Sequence, residues 1–166
     1  MQYIVYNIDI LSISGISETE GAERMTYEQR IKIAWLNRAF YADKNAKAWS
    51  AKLERDRSLA QRLTRYSDGT GGTSAGNRTE DYLIRLAETE RKTQEKLKEL
   101  VRIREEIIEV IQKLTDSDMQ TILLWHYLEY LTFEQTAEKM HYDERTVRRK
   151  HKKALDEIVL LCPDKM

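Results

Sequence analysis

The sequence predicts an all-α protein: a helical, coiled-coil-like hairpin arm followed by a C-terminal helix-turn-helix. Three observations carry this expectation. The chain has one proline and six glycines in 166 residues, with 41% hydrophobic and 34% charged residues, a balance that favours long exposed helices over sheet. Residues 79–114 place apolar side chains at alternating three- and four-residue steps. Residues 117–158 divide into two short helices and a tight turn, followed by a third helix crowded with positive charge.

Two readings of the leader, residues 1–25, stay open. Ile4, Tyr6, Ile8 and Ile10 alternate as in a short strand, and no basic leading region marks a signal peptide. Alternatively the leader is not native and translation starts at Met25, after a Glu20–Arg24 stretch whose codons can resemble a ribosome-binding site. The rest of the domain plan is a hairpin arm over 26–114 and a helix-turn-helix module over 115–162.

The arm begins with a capping box, because Thr26 and Gln29 can each satisfy a free backbone donor of a new helix. Ile31, Trp35 and Ala39 then lie at i, i+4 and i+8, and Trp49, Leu53, Ala60 and Leu63 extend the apolar stripe, interrupted by Asp56. A bend is expected at Ala42–Asn45. Residues 67–78 hold four of the glycines and read as a flexible connector; they lack the lysine-serine/threonine ending of a phosphate loop.

The second arm helix has its seam at Leu83, Leu86, Leu97, Leu100, Ile107, Ile111 and Leu114, with Glu90, Thr93 and Arg104 at the remaining seam positions. Asp81–Arg85, Glu88–Lys92 and Glu109–Lys113 are acid-first i, i+4 pairs, each contributing about 0.3 kcal/mol. The apolar face therefore needs a partner: the first arm helix folded back on it, or a second chain in a homo-oligomer.

The charge distribution within the formally neutral chain is polarised. Residues 144–153 hold six bases (Arg145, Arg148, Arg149, Lys150, Lys152, Lys153) and one acid, Glu144. Residues 115–143 hold six acids (Asp116, Asp118, Glu129, Glu134, Glu138, Asp143) and one base, Lys139. Such a basic end can neutralise phosphates while the acidic part is repelled from a duplex or offered to a protein.

The turn chemistry agrees. Thr132 and Gln135 form a second capping box, Ala137 is small where two helices cross, and Asp143 can cap the basic helix. Val147, Ala154, Leu155 and Ile158 share one side of that helix, leaving Arg145, Thr146, Arg148, Arg149 and Lys152 on the other. Arg145, Arg148 and Arg149 are the candidates for reading bases, since arginine can grip guanine with two parallel hydrogen bonds. Lys150, Lys152 and Lys153 are the candidates for phosphates, with Thr132 and Lys139 touching the backbone at the groove entry. The expected partner is double-stranded DNA.

From Leu114 to Ile158 the chain resembles the −35-reading region of sigma-70 family factors. The shared pattern is Tyr127-Leu128-Glu129, then Thr132, Glu134 and Ala137, then Thr146-Val147 and Ala154-Leu155. Two departures stand out: His141 where glycine is usual in the turn, and Thr136 where isoleucine usually precedes the alanine. From about residue 26 the arrangement resembles small phage and prophage proteins, including the ArpU and RinA groups. That resemblance implies a transcriptional regulator in the cytoplasm of a bacterial host, with RNA polymerase as a further partner. The alternatives are a terminase-like adaptor in phage DNA packaging, or a polymerase- or sigma-binding module without DNA contact.

No catalytic set, cofactor or metal site is expected. His126, His141 and His151 are not spaced with Cys162 as zinc ligands, and His151 is expected to pack inside. Trp125 is expected in the core, with Trp35 and Trp49 as packing anchors. A single cysteine permits no internal disulfide, and no run approaches the ~18 apolar residues of a membrane span. Residues 25–66 hold ten bases (Arg30, Lys32, Arg38, Lys44, Lys47, Lys52, Arg55, Arg57, Arg62, Arg65) and four acids (Glu28, Asp43, Glu54, Asp56), a surplus suited to extra phosphates or to another helix's acids.

Overall fold

The computed structural model describes residues 25–67 and 73–159, all helical apart from short connections. Among the described residues six helices follow one another: α1 (Tyr27–Leu36), α2 (Arg38–Ser67), α3 (Thr73–Ile111), α4 (Ser117–Tyr127), α5 (Phe133–Met140) and α6 (Glu144–Glu157). The all-α expectation holds. The strand and start-site readings of the leader lie outside the described residues.

Thr26 caps α1 as anticipated: its side chain accepts from Gln29 N–H at 3.2 Å, and Gln29 Oε1 accepts from Thr26 N–H at 3.0 Å. The inward face of α1 is Ile33 and Leu36, continued by Ala39 of α2, all buried, whereas Ile31 is exposed and Trp35 half-buried. The break falls at Asn37, not at Ala42–Asn45, which runs on as helix. Arg38 fastens the break, lying 4.5 Å from the Trp35 ring centroid and donating to Trp35 O at 3.2 Å.

α2 and α3 form an antiparallel hairpin, since their contacts run in opposite directions along the two helices. Arg38 meets Glu106 (2.9 Å), the Thr93 hydroxyl reaches Trp49 O (3.4 Å), Lys52 meets Thr89 (2.9 Å) and the Tyr82 hydroxyl reaches Asp56 O (3.2 Å). The connector is shorter than expected, because Ser67 belongs to α2 and residues 73–78 belong to α3.

The α3 seam keeps the expected Ile107, Ile111 and Leu114, all buried, but departs from the expected register at alternate positions before them. Thr89, Thr93, Ile103, Ile107, Val110 and Leu114 are buried, and Leu86, Lys96 and Leu100 are half-buried. Leu83 and Leu97 are exposed, while Glu90 and Arg104 sit at the margin. Both registers share residues 86, 93, 100, 107, 111 and 114. Thr93 is tolerated inside because its hydroxyl donates to Thr89 O at 2.7 Å. Of the acid-first pairs, Glu88–Lys92 closes at 2.7 Å.

The arm does not end in a separate domain. Ile33, Leu36 and Ala39 pack in one cluster with Ile107 and Ile111 of α3, Met119 and Leu123 of α4, and Leu155 of α6. A second cluster, Ile122, Phe133, Ala137 and Val147, holds α5 and α6 against α4. The core thus crosses the expected boundary at residue 114, making the arm base and the C-terminal helices one packed unit.

Candidate nucleic-acid interface

α6 starts at Asp143, whose carboxylate accepts from Thr146 N–H at 2.8 Å and from the Thr146 hydroxyl at 2.7 Å. The Thr146 hydroxyl, with the Thr146 N–H, holds the Asp143 carboxyl below its usual range. From this cap, Val147, His151, Ala154 and Leu155 turn inward at helical spacing and are buried, followed by Ile158. Arg145 and Arg149 occupy the opposite side, exposed and without an ion pair to any described residue.

The nine expected contact residues do not form one surface. Arg145, Arg149 and the half-buried Lys152 form a column at i, i+4 and i+7, with exposed Lys153 and Arg148 on its flanks. Lys153 leans toward Glu157 at 3.6 Å. Arg148 is tethered, donating through Nε to Glu144 at 2.8 Å with its guanidinium 4.8 Å from the Phe133 ring centroid. Thr146 is half-buried against Asp143. Thr132 is exposed, but its hydroxyl accepts from Gln135 N–H at 3.1 Å, and Lys139 lies 5.4 Å from the Trp125 ring centroid. Trp125 is therefore a half-buried shelf for Lys139, not core.

Lys150 departs most from expectation. It turns away from the column toward the start of α4, with its ammonium 2.9 Å from Asp118 and 3.4 Å from Asp116. The Tyr142 hydroxyl donates to the same Asp118 carboxylate at 2.8 Å. The hydrogen bond to Asp118 raises the Lys150 pKa against burial, and the bonds from Lys150 and Tyr142 lower that of Asp118. Burial works to raise Asp116, but the N–H groups of Asp118 and Met119 and the Lys150 charge outweigh it and lower its pKa. This group ties α6 and the turn to the cap of α4. Its acids, counted in sequence as repelling DNA, instead hold a lysine.

The turn itself is His141–Asp143. His141 adopts φ 57°, ψ 37°, the left-handed region that favours glycine. Its N–H bonds Glu138 O at 3.2 Å and Tyr142 N–H bonds Ala137 O at 3.0 Å, closing the end of α5. The departure at Thr136 is accommodated: the side chain is fully buried, and its hydroxyl donates to Thr132 O at 2.9 Å.

Below α6 lies a set of rings. His126 stacks on Phe133 with centroids 4.3 Å apart, and His151 packs edge-on to both. His126 Nδ1 is 2.8 Å from Leu131 O, so this nitrogen carries the proton that it donates. Burial lowers the His126 pKa despite that bond, and burial pushes the His151 imidazole down to about 3. Both rings are neutral supports at neutral pH.

The far end of α6 is held by α1, a relationship the sequence reading missed. Lys32 Nζ donates to Leu155 O at 2.7 Å and Asp156 O at 3.2 Å, capping carbonyls that the helix leaves open. Gln29 Nε2 donates to Asp156 Oδ1 at 2.7 Å. No local pattern marks contacts 123–127 residues apart. The connection between α4 and α5 is also tied to the arm, by Arg104 to Leu128 O (3.2 Å) and by the Tyr130 hydroxyl to Ala39 O (3.3 Å).

Among the described residues, no group of three or more His, Cys, Asp or Glu side chains is placed to hold a metal ion, and no helix is long and apolar enough to cross a membrane. The arrangement can present fixed cations and hydrogen-bond donors to an anionic polymer. No curated protein and no solved structure matches the chain. Residues 66–159, from the end of α2 through α6, match a family described as protein of unknown function (DUF1492), and the chain belongs to that family.

Proposed function

We propose that this protein is a DNA-binding transcriptional regulator of phage or prophage type, with α5 and α6 acting as a helix-turn-helix and α6 entering the major groove. The observation that carries the reading is the outward column on α6. Arg145 and Arg149 are exposed on a helix whose other side is buried and whose two ends are both fastened. A rigid helix with free guanidinium groups one turn apart suits the paired acceptors of guanine. Lys152, in the same column, and Lys153 on its flank suit phosphates. Arg148 joins the reading set only by exchanging its Glu144 bond for a base. Lys150 is assigned to holding α6 in place.

The test is a selection of duplex sequences by the wild type and by an Arg145→Ala/Arg149→Ala variant. The wild type is expected to enrich a defined motif, and each arginine to contribute about 1–3 kcal/mol of discrimination. Enrichment of the same motif with equal strength by the variant would remove α6 as the reader. Co-purification of RNA polymerase, with no duplex bound at low salt, would favour a polymerase-binding module instead.

A further inference from the structure

We infer that the outward face of α2 is a second, sequence-independent contact for the phosphate backbone of duplex DNA. The inference rests on the DNA-binding reading above and extends it from α6 to the arm. The hairpin sorts the basic surplus of the first arm segment into two groups. Arg38, Lys52 and Arg57 are engaged by α3, through Glu106, Thr89 and Glu90, and Lys32 is engaged by α6. Lys44, Arg55, Arg62 and Arg65 are exposed and form no ion pair with a described residue.

Those four residues share one side of the helix. At 100° per residue they fall within about 80° of one another, opposite the seam of Ala46, Trp49, Leu53 and Ala60. Along the axis they are spaced by about 16, 10 and 5 Å. Lys47 flanks them and remains exposed although paired with Asp43 at 2.6 Å. Of the acids on α2, Asp43 and Asp56 are taken by Lys47 and Lys52, which leaves Glu54 at the edge of the stripe.

The chemistry between the charges favours a polyanion over a protein. Ala48, Ala51 and Ser58 separate the bases, and Leu59 at the margin is the large apolar residue nearby. A stable protein interface needs a desolvated apolar centre, which the described side chains of this face do not supply. Spaced cations along one helix face need only phosphates within reach, and they release counterions on contact.

The test measures binding of the full chain to a duplex of about 30 base pairs over a salt series, using fluorescence anisotropy. The variant is Lys44→Gln/Arg55→Gln/Arg62→Gln/Arg65→Gln, which changes four exposed side chains; circular dichroism and a thermal melt check that it keeps its fold. The slope of log affinity against log salt is expected to fall by about 3 to 4, with the sequence preference unchanged. An unchanged slope with preference retained overturns the inference and leaves the reading of α6 standing. A reduced slope in this variant, with the Arg145→Ala/Arg149→Ala protein identical to wild type, supports the arm contact and removes α6. No binding of any duplex by the wild type at low salt overturns both.

Discussion

The Tyr127 hydroxyl and His151 Nε2 lie 3.0 Å apart, between two side chains that are both almost entirely buried beneath α6. Burial raises the Tyr127 pKa far above its usual value and lowers that of His151, so the pair is stable as two neutral groups. His151 is the only polar side chain on the buried face of the helix proposed to meet DNA.

The first prediction concerns pH. The His151 pKa is about 3 folded, against an ordinary value near 6.5 in the unfolded chain. Between these values the unfolded chain binds more protons, so the stabilisation is fully present above about pH 6.5 and is lost as pH falls toward 3. The slope approaches 1.4 kcal/mol per pH unit, or about 2 kcal/mol lost by pH 5. The lowered His126 adds to the loss in the same direction. Urea denaturation from pH 7.5 to 4.5 reads this slope, and His151→Phe should flatten it. A slope unchanged in His151→Phe would assign the effect elsewhere.

The second concerns the turn. His141→Gly relieves a left-handed conformation that costs a residue with a Cβ about 1 kcal/mol, partly offset by the larger backbone freedom of unfolded glycine. His141→Gly is therefore expected to raise the denaturation midpoint slightly, and His141→Val to lower it, with a stability loss of about 1–3 kcal/mol from αL strain. Equal midpoints for all three proteins would mean that the turn relaxes to another conformation.

The third concerns the fastening of α6 by α1. Lys32→Met keeps much of the apolar stem but removes the donor to Leu155 O and Asp156 O. It is expected to cost about 1 kcal/mol, given the partial exposure of the bonds. Amide exchange should accelerate in the last turn of α6 before it does in α3. Uniform acceleration throughout the chain would argue against a local role.

The fourth tests the α3 register. Ile107 is fully buried and Leu97 is 44% exposed. Ile107→Ala is expected to cost about 2–5 kcal/mol, and Leu97→Ala to stay within about 0.5 kcal/mol. Comparable losses at both positions would place Leu97 in a seam, as the heptad pattern alone suggested, or under a second chain.

Features with a local cause were legible in the sequence. The Thr26 and Thr132 capping boxes, the Asp143 cap and the inward set Val147, Ala154, Leu155 and Ile158 each follow from neighbours within a few turns. The unusual His141 turn was also visible, as a histidine where the resemblance called for glycine. What escaped depended on distant partners. The α3 seam went astray in part because leucine outranks threonine in a hydrophobic pattern, yet Thr89 is buried while Leu83 and Leu97 are exposed. Lys150 looked like its basic neighbours until the cap of α4 was brought beside it. The docking of α1 on α6 had no signature, since Gln29 and Lys32 are ordinary helix-surface residues taken alone.

That docking sets an order of events during synthesis. Ile33 and Leu36 leave the ribosome early, while the carbonyls that Lys32 holds are added 123 residues later. At about 5–20 residues per second, α1 waits several seconds or more for its full set of neighbours. The hairpin can zip meanwhile, but the contact joining α1 to α6 closes only when α6 has emerged. A nascent chain stalled before residue 155 should therefore expose an early apolar face to chaperones, and release should bury it.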